Sequence, residues 1–207
     1  MKRISFARSF EDAAMPVALK VTIMCMAMLA VPAAAQPIQR AGQPAAPYTD
    51  SHSGMTFPAE VGTFRRINLT RGPGPRDMHA FYMHLDEAGR VSASVFLTDM
   101  TAMRPKVAQP CATYEDASRS AAQMAHPGLL NPRLAPVMPG FSGAIGTGFT
   151  QSWSEPNGTA WISDKLHYCR DDGRWAVEYQ FFHPAAMEGA AALETAFLTG
   201  FAWSVAP

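Results

Sequence analysis

The sequence predicts an α+β fold, in which an antiparallel sheet of about six strands carries two helices packed on it. The main observation is the run from Ile145 to His183, where two glycine-containing turns separate three strands. Apolar residues recur at helical spacing between 113 and 126, and again from Glu188 to Trp203. The order of elements is strand, hairpin, helix, three-strand meander and helix, which is typical of a single layered domain.

The first turn of the meander contains Asn157-Gly158, a dipeptide preferred in two-residue hairpins because both central positions need positive φ. A two-residue turn at this point pairs Trp153 with Ile162 and Gln151 with Asp164. This register puts the apolar residues of the middle strand on one face of the sheet.

The second turn of the meander is centred on Asp172-Gly173 and has the same chemistry. It pairs Asp164 with Phe181 and sets His167 across from Glu178. Both turns assign the same face to the middle strand, and a slip of one residue would expose that whole face. We therefore expect a sheet with one apolar face and one largely polar face.

One row of the predicted meander departs from this pattern, because Gln151, Asp164 and Phe181 lie side by side on the apolar face. A carboxylate buried there needs partners or has a raised pKa, which makes Asp164 a candidate functional residue. The alternative is that the row lies at the margin of the sheet, where Asp164 reaches solvent.

The elements before the first helix are predicted to be strands. Ordered structure is expected to begin at Met55, and one strand runs from Phe64 to Thr70. A hairpin of residues 78–86 and 91–98 follows, with a three-residue loop that matches the apolar faces better than a two-residue loop does. The predicted pairs are Leu85 with Val91, Met83 with Ala93, and Phe81 with Val95.

The first helix is predicted to begin at Thr113, because Thr113 and Asp116 resemble a capping box, and to end before Pro127. Its apolar side consists of Tyr114, Ala117, Ala121 and Met124. The proline-rich segment 127–140 is expected to be an irregular loop.

The last helix is predicted to begin at Ala185 or Met187. Helical spacing puts three apolar residues on its inner face and two acidic residues on its outer face. The inner residues are Leu193, Phe197 and Phe201, and the outer residues are Glu188 and Glu194.

The N-terminal segment has the features of a secretory signal peptide. A basic flank is followed by an apolar core from Val21 to Val31 and by an A-x-A sequence that ends at Ala35. The core is too short to cross a bilayer comfortably. We expect translation to start at Met1 or Met15, cleavage to follow Ala35, and the bacterial protein to be periplasmic or secreted.

Removal of residues 1–35 leaves a flexible leader, residues 36–54, and a single α+β domain, residues 55–207. The full chain has 17 basic and 17 acidic residues; four basic and two acidic residues lie in the signal peptide, which leaves 13 and 15 and a net charge of −2. No basic run remains, which argues against a nucleic-acid partner. No transmembrane segment is expected after cleavage.

The mature chain keeps two cysteines, Cys111 and Cys169. In an oxidising compartment this even number favours one disulfide, which would tie the first helix to the sheet, and two buried free thiols are the alternative. His167 and Cys169 point to the same face of their strand and form a candidate copper or zinc site. The competing interpretation is an ordinary pair between His167 and Glu178, because no further ligands occur at a typical spacing.

Two large aromatic residues, Trp161 and Phe182, fall on the polar face of the predicted meander. Either another segment, such as the first helix, covers them, or they form a surface for a partner or ligand. The sequence contains no nucleophile elbow, phosphate-binding loop, dinucleotide fingerprint or zinc-protease motif, so no catalytic residue and no cofactor is predicted.

Two sequence stretches carry a family resemblance. The opening F-P-x-x-V-G-x-F from Phe57 to Phe64 and the closing F-L-T-G-F-A-W from Phe197 to Trp203 resemble small exported bacterial proteins of unassigned function. The order of elements also resembles the PsbP-like fold, which is shared by an extrinsic photosystem II protein and a Ran-binding nuclear import factor. The resemblance covers residues 55–203 and implies an α/β/α sandwich with a binding or accessory role, not a shared activity.

These observations favour an exported, non-enzymatic binding or accessory module whose partner is an unknown protein or small molecule in the bacterial envelope. The signal peptide, the single small domain and the lack of a catalytic motif support this expectation. The alternatives are a metal-binding envelope protein that uses His167 and Cys169, and a small hydrolase that uses Asp164. The predicted ligand or partner surface consists of Trp161, Phe182, Asp164 and Gln151.

Overall fold

A computed structural model describes residues 46–84, 91–103, 109–136, 145–170 and 173–203. Within these ranges the chain forms eleven strands, two α-helices and a 3-10 turn, Met100–Ala102. The strands are β1 (Tyr48–Thr49), β2 (Met55–Phe57), β3 (Glu60–Val61), β4 (Phe64–Arg71), β5 (Met78–His84), β6 (Ser92–Asp99), β7 (Leu129–Leu134), β8 (Ile145–Ser154), β9 (Ala160–Cys169), β10 (Trp175–Pro184) and β11 (Ala202–Trp203). The helices are α1 (Pro110–Ala125) and α2 (Ala190–Thr199).

Eight of these strands form one antiparallel sheet in the order β3-β4-β5-β6-β10-β9-β8-β7. The other three form a small sheet in the order β1-β2-β11. The predicted α+β class is confirmed, but the prediction of about six strands was too low. The additional strands are two or three residues long or contain proline, so their sequences lack a clear alternating pattern.

The register of β9 and β10 is the one predicted from Asp172-Gly173. Asp164 lies opposite Phe181, and His167 lies opposite Glu178. The backbone N–H of Arg170 donates to the carbonyl of Trp175 and closes the connection. This confirmed pair of central strands positions most of the polar groups discussed below.

The register of β8 and β9 differs from the prediction by one residue. Ser154 pairs with Ala160, and Gly158 has a positive φ, 84°, at the end of a three-residue turn. Asn-Gly is therefore part of a bulged turn here, not a two-residue one. As a result Gln151 lies opposite Ser163 on the face turned away from Asp164, and the predicted row of Gln151, Asp164 and Phe181 was wrong.

The register of β5 and β6 also differs by one residue from the prediction. Tyr82 lies opposite Ala93 and Ala80 opposite Val95, so these residues are buried, whereas Phe81 and Met83 are half-buried on the other face. The hydroxyl of Tyr82 donates to the carbonyl of Pro58 at 3.0 Å, which satisfies its polar tip inside the core. The predicted loop, residues 87–89, lies outside the described residues.

Helix α1 begins three residues earlier than predicted, with Pro110 at its first position, where the missing N–H of proline costs nothing. It ends before Pro127 as predicted. Its inner side was wrongly assigned, since Met124 is 80% exposed while Ala122 is buried. The residues that face the sheet are mainly polar, and they are satisfied by polar side chains of β8–β10.

The segment 127–140, predicted to be an irregular loop, contains strand β7. Pro132 is compatible with it because β7 is an edge strand, where a missing backbone N–H does not break the interior ladder. This strand brings Arg133 opposite Gly148 in β8. Residues 137–140 lie outside the described part of the chain.

The last helix is shorter than predicted, and the chain continues from it into β11. Phe197 and Phe201 are buried in the core as expected, and Glu188 is exposed. Glu194, however, is only 5% exposed, so its predicted outward orientation was wrong. The physical reason is a cationic partner supplied by β7, described below.

Ordered structure begins before the predicted Met55, because Tyr48 in β1 pairs with Phe57 in β2, and Asp50 is buried. The predicted signal peptide, its cleavage site after Ala35 and the alternative start at Met15 lie outside the described residues. Among the helices that the structure describes, none has the length and apolar character needed to cross a membrane.

A disulfide joins Cys111 in α1 to Cys169 in β9, as predicted, with their Cα atoms 6.2 Å apart. It links residues 58 positions apart in the sequence and attaches the first turn of the helix to the large sheet. In the chain-entropy picture such a cross-link stabilises the fold because it restricts the unfolded chain.

We predict that the double substitution Cys111→Ala, Cys169→Ala lowers the free energy of unfolding by about 4 kcal/mol, the value that the chain-entropy relation gives for a loop of this length. Urea denaturation monitored by tryptophan fluorescence measures this loss. The control is the wild-type protein in reductant, whose free energy of unfolding should fall towards that of the variant. Equal denaturation midpoints for the oxidised protein and the variant would contradict the prediction.

Candidate functional site

The two helices contact opposite faces of the large sheet. Glu178 of β10 is bound by a side chain of α1, whereas Asp164 of β9 belongs to a cluster that includes Glu194 of α2. Alternate residues of a strand point to opposite faces, so the antiparallel pairing of β9 and β10 sends these two carboxylates to different helices. Each face thus contains a buried acidic group that needs partners.

On the α1 side, Glu178 is the centre of a buried polar network. Its Oε2 atom lies 2.9 Å from Nε2 of His167 and accepts a hydrogen bond of 2.7 Å from the hydroxyl of Ser118. Nζ of Lys165 lies 3.4 Å from the other carboxylate oxygen. With 6% of its surface exposed, Glu178 depends on these three groups to remain charged.

The pKa of Glu178 reflects this environment. Burial by itself raises the pKa, but the hydrogen bond from His167 and the positive charge of Lys165 outweigh it, with a further contribution from Ser118, and lower the pKa to about 2. Glu178 is therefore ionised at neutral pH. Because a carboxylate only accepts hydrogen bonds, Nε2 of His167 carries the hydrogen in this pair.

Ser118, His167 and Glu178 are the residue types of a catalytic triad, but their connections differ from those of one. The serine hydroxyl donates to the carboxylate and not to the imidazole. A nucleophilic serine needs an adjacent base that accepts its proton. In this geometry Ser118 supports the charge of Glu178 and is not activated.

A second polar contact joins α1 to β8. The guanidinium of Arg119 binds Glu115 at 2.7 Å and lies over the ring of Phe149, 4.7 Å from its centre. The hydroxyl of Thr147 donates to the other oxygen of Glu115 at 2.6 Å. Burial raises the pKa of Glu115, but these bonds and the charge of Arg119 lower it overall.

Gln151 has a structural role at the other end of α1. Its side-chain amide donates to the carbonyls of Ala122 and His126, at 2.9 and 2.5 Å. The carbonyl of Ala122 also accepts the backbone N–H of His126, the C-cap residue, so the amide adds a second bond there and ties the C-terminus of α1 to β8. The predicted ligand-surface residue Gln151 is thus placed against the end of the helix.

Trp161 and Phe182 lie together on the α1 side of the sheet. Their rings stack with centroids 4.8 Å apart, and the ring of Trp153 lies 5.3 Å from Phe182. His126, at the end of α1, stacks on Trp153 at 4.3 Å. Trp161 and Phe182 are half-buried, so the chain itself covers part of this aromatic row.

A cavity of about 540 Å³, here called the aromatic cavity, lies between α1 and strands β4–β6. His79 and Phe96 stack in parallel in its wall, with ring centroids 4.2 Å apart, and Tyr114 of α1 also lines it. Burial lowers the pKa of His79 and raises that of Tyr114, so both side chains are uncharged at neutral pH. Arg71 contributes a positive charge to the lining.

A second cavity of about 510 Å³, here called the disulfide cavity, lies on the β8–β9 side of α1. Both Cys111 and Cys169 line it, and so does His167. Glu115 and Arg170 provide charged groups in the same wall. Two cavities therefore flank the first turns of α1.

On the α2 side, Arg133 binds two carboxylates. Its Nη1 atom lies 2.8 Å from Asp164 and 3.1 Å from Glu194. Asp164 also accepts a hydrogen bond of 2.5 Å from Thr150, and Nε2 of His183 lies 3.6 Å from its second oxygen. Nδ1 of His183 donates to a backbone carbonyl at 2.8 Å.

The groups of this cluster have opposite pKa shifts. For Asp164, burial is outweighed by hydrogen bonds from His183 and Thr150 and by the charge of Arg133, so the pKa is lowered. For Glu194, burial and the charge of Asp164 outweigh Arg133, and the pKa is raised. The pKa of His183 is raised despite burial, because Asp164 and a backbone carbonyl accept its hydrogens.

The structure separates the residues that the sequence grouped as one ligand surface. Trp161, Phe182 and Gln151 are on the α1 side, and Asp164 is on the α2 side in an ion cluster. Sequence reasoning missed Arg133 and Glu194, which are the partners of Asp164 there. Little in the sequence indicated either residue. Pro132 argued against a strand at β7, and the spacing of the last helix put Glu194 on its exposed side.

The candidate metal site has lost its thiolate ligand, because the sulfur of Cys169 is bonded to Cys111. His167 pairs with Glu178, which was the competing interpretation. Over the described part of the chain, no group of three or more His, Cys, Asp or Glu side chains is arranged to hold a metal ion.

No protein-family model and no curated protein matches this chain. Its function is therefore inferred from the contacts and cavities described above.

We predict that Arg133→Met lowers the free energy of unfolding by about 3 kcal/mol, because it leaves Asp164 and Glu194 buried without their cation. Arg65→Met is the matched control: Arg65 binds Glu60 at 3.3 Å with both side chains more than half exposed, and such pairs contribute about 0–1 kcal/mol. Chemical denaturation of both variants measures the difference. Equal losses in the two variants would contradict a stabilising role for the buried cluster.

We predict that the stability of the protein depends on Glu178 at acidic pH. Its folded pKa, about 2, lies below the ordinary value of 4.5, so its contribution is complete above pH 4.5 and is lost as the pH falls towards 2. Glu178→Gln should reduce the slope of unfolding free energy against pH in this window and cost on the order of 3 kcal/mol at pH 7. Denaturation series between pH 2 and 7 test this, with the exposed Glu60→Gln as control.

Proposed function

We propose that this protein is an exported, non-enzymatic binding module that holds a small organic molecule with a planar apolar body in the aromatic cavity. The observation that carries the proposal is the stacked pair of His79 and Phe96 in the wall of a cavity of about 540 Å³. Ligand cavities in proteins commonly measure about 300–1,000 Å³ and combine an apolar lining with a few polar groups.

The chemistry of the lining supports a planar ligand with a hydrogen-bond acceptor or a negative charge. His79 is neutral, because burial lowers its pKa, and therefore presents an uncharged aromatic face for stacking. The hydroxyl of Tyr114 accepts a hydrogen bond from Thr98 at 3.4 Å and keeps its own proton to donate. Arg71 in the lining favours an anionic substituent, because the carboxylate of Asp77 in the same lining already accepts two backbone N–H groups.

Export is supported by the disulfide, since such bonds persist mainly in oxidising compartments such as the bacterial periplasm. The N-terminal sequence features of residues 1–35 point the same way. The resemblance to the PsbP-like fold fits a binding or accessory role and remains part of this proposal.

The first test is native mass spectrometry of the protein purified from the exporting host, followed by denaturing mass spectrometry of the same sample. The proposal expects a small organic mass that is present under native conditions and released on denaturation. A mature protein that retains nothing is then titrated with 1-anilinonaphthalene-8-sulfonate, an aromatic sulfonate that matches the lining of the aromatic cavity.

We predict that Phe96→Ala weakens binding of this probe at least about tenfold, which corresponds to the loss of a stacking contact worth about 1.4 kcal/mol. The control is the double variant Trp161→Ala, Phe182→Ala, which removes the stacked pair outside the aromatic cavity and should keep the wild-type affinity. Fluorescence titration measures both. The reverse result, with loss only in the control, would assign binding to the Trp161–Phe182 surface and reject the aromatic cavity.

A further inference from the structure

The Cys111–Cys169 disulfide lies in the wall of a cavity. Both cysteines are half-buried and line the disulfide cavity of about 510 Å³, which is large enough for a small molecule. A disulfide with a purely structural role needs no cavity beside it. Access to the sulfur atoms is a condition for thiol chemistry, since exchange requires a thiolate to reach one of them.

His167 provides a base in the same cavity. It is 3% exposed and lines the cavity together with both cysteines. Its Nε2–H donates to Glu178 at 2.9 Å, which leaves Nδ1 with a lone pair. That buried Nδ1 atom has no hydrogen-bond partner among the residues that the structure describes. A buried polar atom without a partner is rare, and a ligand that donates a hydrogen would satisfy it.

The strand geometry puts this base on the same face of β9 as the sulfur of Cys169. His167 and Cys169 are two positions apart in β9, so their side chains point to the same face, about 7 Å apart along the strand. The carboxylate of Glu178, 2.9 Å from Nε2, fixes the orientation and the tautomer of the ring. The arrangement matches that of a general base oriented by a carboxylate.

Cys111 is positioned to leave as a thiolate. It is the second residue of α1, in the first turn, where unpaired backbone N–H groups and the helix dipole stabilise a negative charge. A sulfur with a lowered thiol pKa is the better leaving group in thiol exchange. The two sulfurs therefore differ: Cys169 shares a strand face with the base, and Cys111 lies at the N-terminus of α1.

We propose that the disulfide cavity is a thiol-exchange site, in which a small-molecule thiol attacks Cys169 with His167 as general base and Cys111 as the leaving group. This site is independent of the aromatic cavity and does not rest on the function proposed for it. The ligand class is a thiol with a small body, and the immediate product is a mixed disulfide on Cys169.

The step is balanced in atoms and electrons. Nδ1 of His167 takes the proton of the incoming thiol, while the sulfur of that thiol forms a bond to Sγ of Cys169. The Cys111–Cys169 bond breaks, and its electron pair stays on Sγ of Cys111. His167 then returns the proton to this thiolate, so one thiol has been consumed and one protein thiol has been formed. With a dithiol, the second sulfur bonds to the first, the bond between the first sulfur and Cys169 breaks, and Cys169 takes the proton of the second thiol. The dithiol leaves as a cyclic disulfide, and both protein cysteines are then thiols.

The test uses dithiothreitol as the dithiol and the full native protein in buffer without denaturant. Aliquots are quenched with iodoacetamide, and mass spectrometry counts the alkylated cysteines over time. We expect reduction in the folded state, with a rate proportional to dithiothreitol concentration. His167→Gln should slow the reaction about 100-fold near neutral pH, since a positioned general base contributes on this scale.

The substitution by glutamine is chosen because its amide still donates to Glu178 but cannot act as a base. His52→Gln is the matched control, since His52 is exposed and does not line the cavity, and it should react at the wild-type rate. The unfolding rate of each variant, measured in urea and extrapolated to water, separates loss of the base from a change in stability.

Two outcomes would overturn the proposal. A reduction rate that is independent of thiol concentration and equal to the unfolding rate means that the disulfide reacts only in the unfolded chain. A His167→Gln variant that reacts as fast as His52→Gln means that His167 is no base for the exchange. Concentration-dependent reduction together with a selective loss in His167→Gln supports it.

Discussion

The antiparallel pairing of β9 and β10 is the constraint on which the rest of the structure depends. It sets His167 beside Glu178 on the α1 side and Asp164 beside Phe181 on the α2 side. A slip of one residue would turn every side chain of one strand to the other face and leave both carboxylates without their partners. The register is thus fixed by polar contacts as well as by the apolar core, because a buried unpaired carboxylate is costly.

The two faces satisfy their buried acids in different ways, and this determines where each helix docks. Within the sheet, Lys165 balances the charge of Glu178 and His167 donates a hydrogen bond to it, so α1 needs to add only the hydroxyl of Ser118. Cavities lie on both sides of the first turns of α1. Asp164 instead requires Arg133 from the edge strand, and Arg133 also holds Glu194 of α2. Both cavities described above therefore lie on the α1 side, whereas an ion cluster joins α2 to the sheet.

Much of this fold is readable from the sequence, and the errors have definite physical causes. Asp172-Gly173 predicted the right register for β9 and β10, whereas Asn157-Gly158, which has a similar turn preference, lies in a bulged turn. The dipeptide alone therefore does not fix the length of the turn. The inner side of α1 was misassigned because several residues that face the sheet are polar and bind polar side chains of the strands. Helical spacing of apolar residues does not reveal such contacts. The ion cluster around Arg133 is non-local and has no sequence spacing that predicts it. The disulfide was predictable, since only two cysteines follow the predicted cleavage site.

The disulfide can both stabilise the fold and take part in thiol exchange, but its contribution to stability limits how far the exchange can proceed. If the cross-link contributes about 4 kcal/mol to folding, thermodynamic linkage requires that folding favour the closed bond over the open thiols by the same amount, a factor of roughly 10³. A mixed disulfide with a monothiol on Cys169 would then reclose readily, because Cys111 is held nearby at the start of α1. Access and base catalysis set the rate of exchange, while the fold sets its equilibrium. The disulfide cavity is therefore suited to transient capture of a thiol, and only a dithiol, whose own ring closure offsets this preference, should open the bond completely.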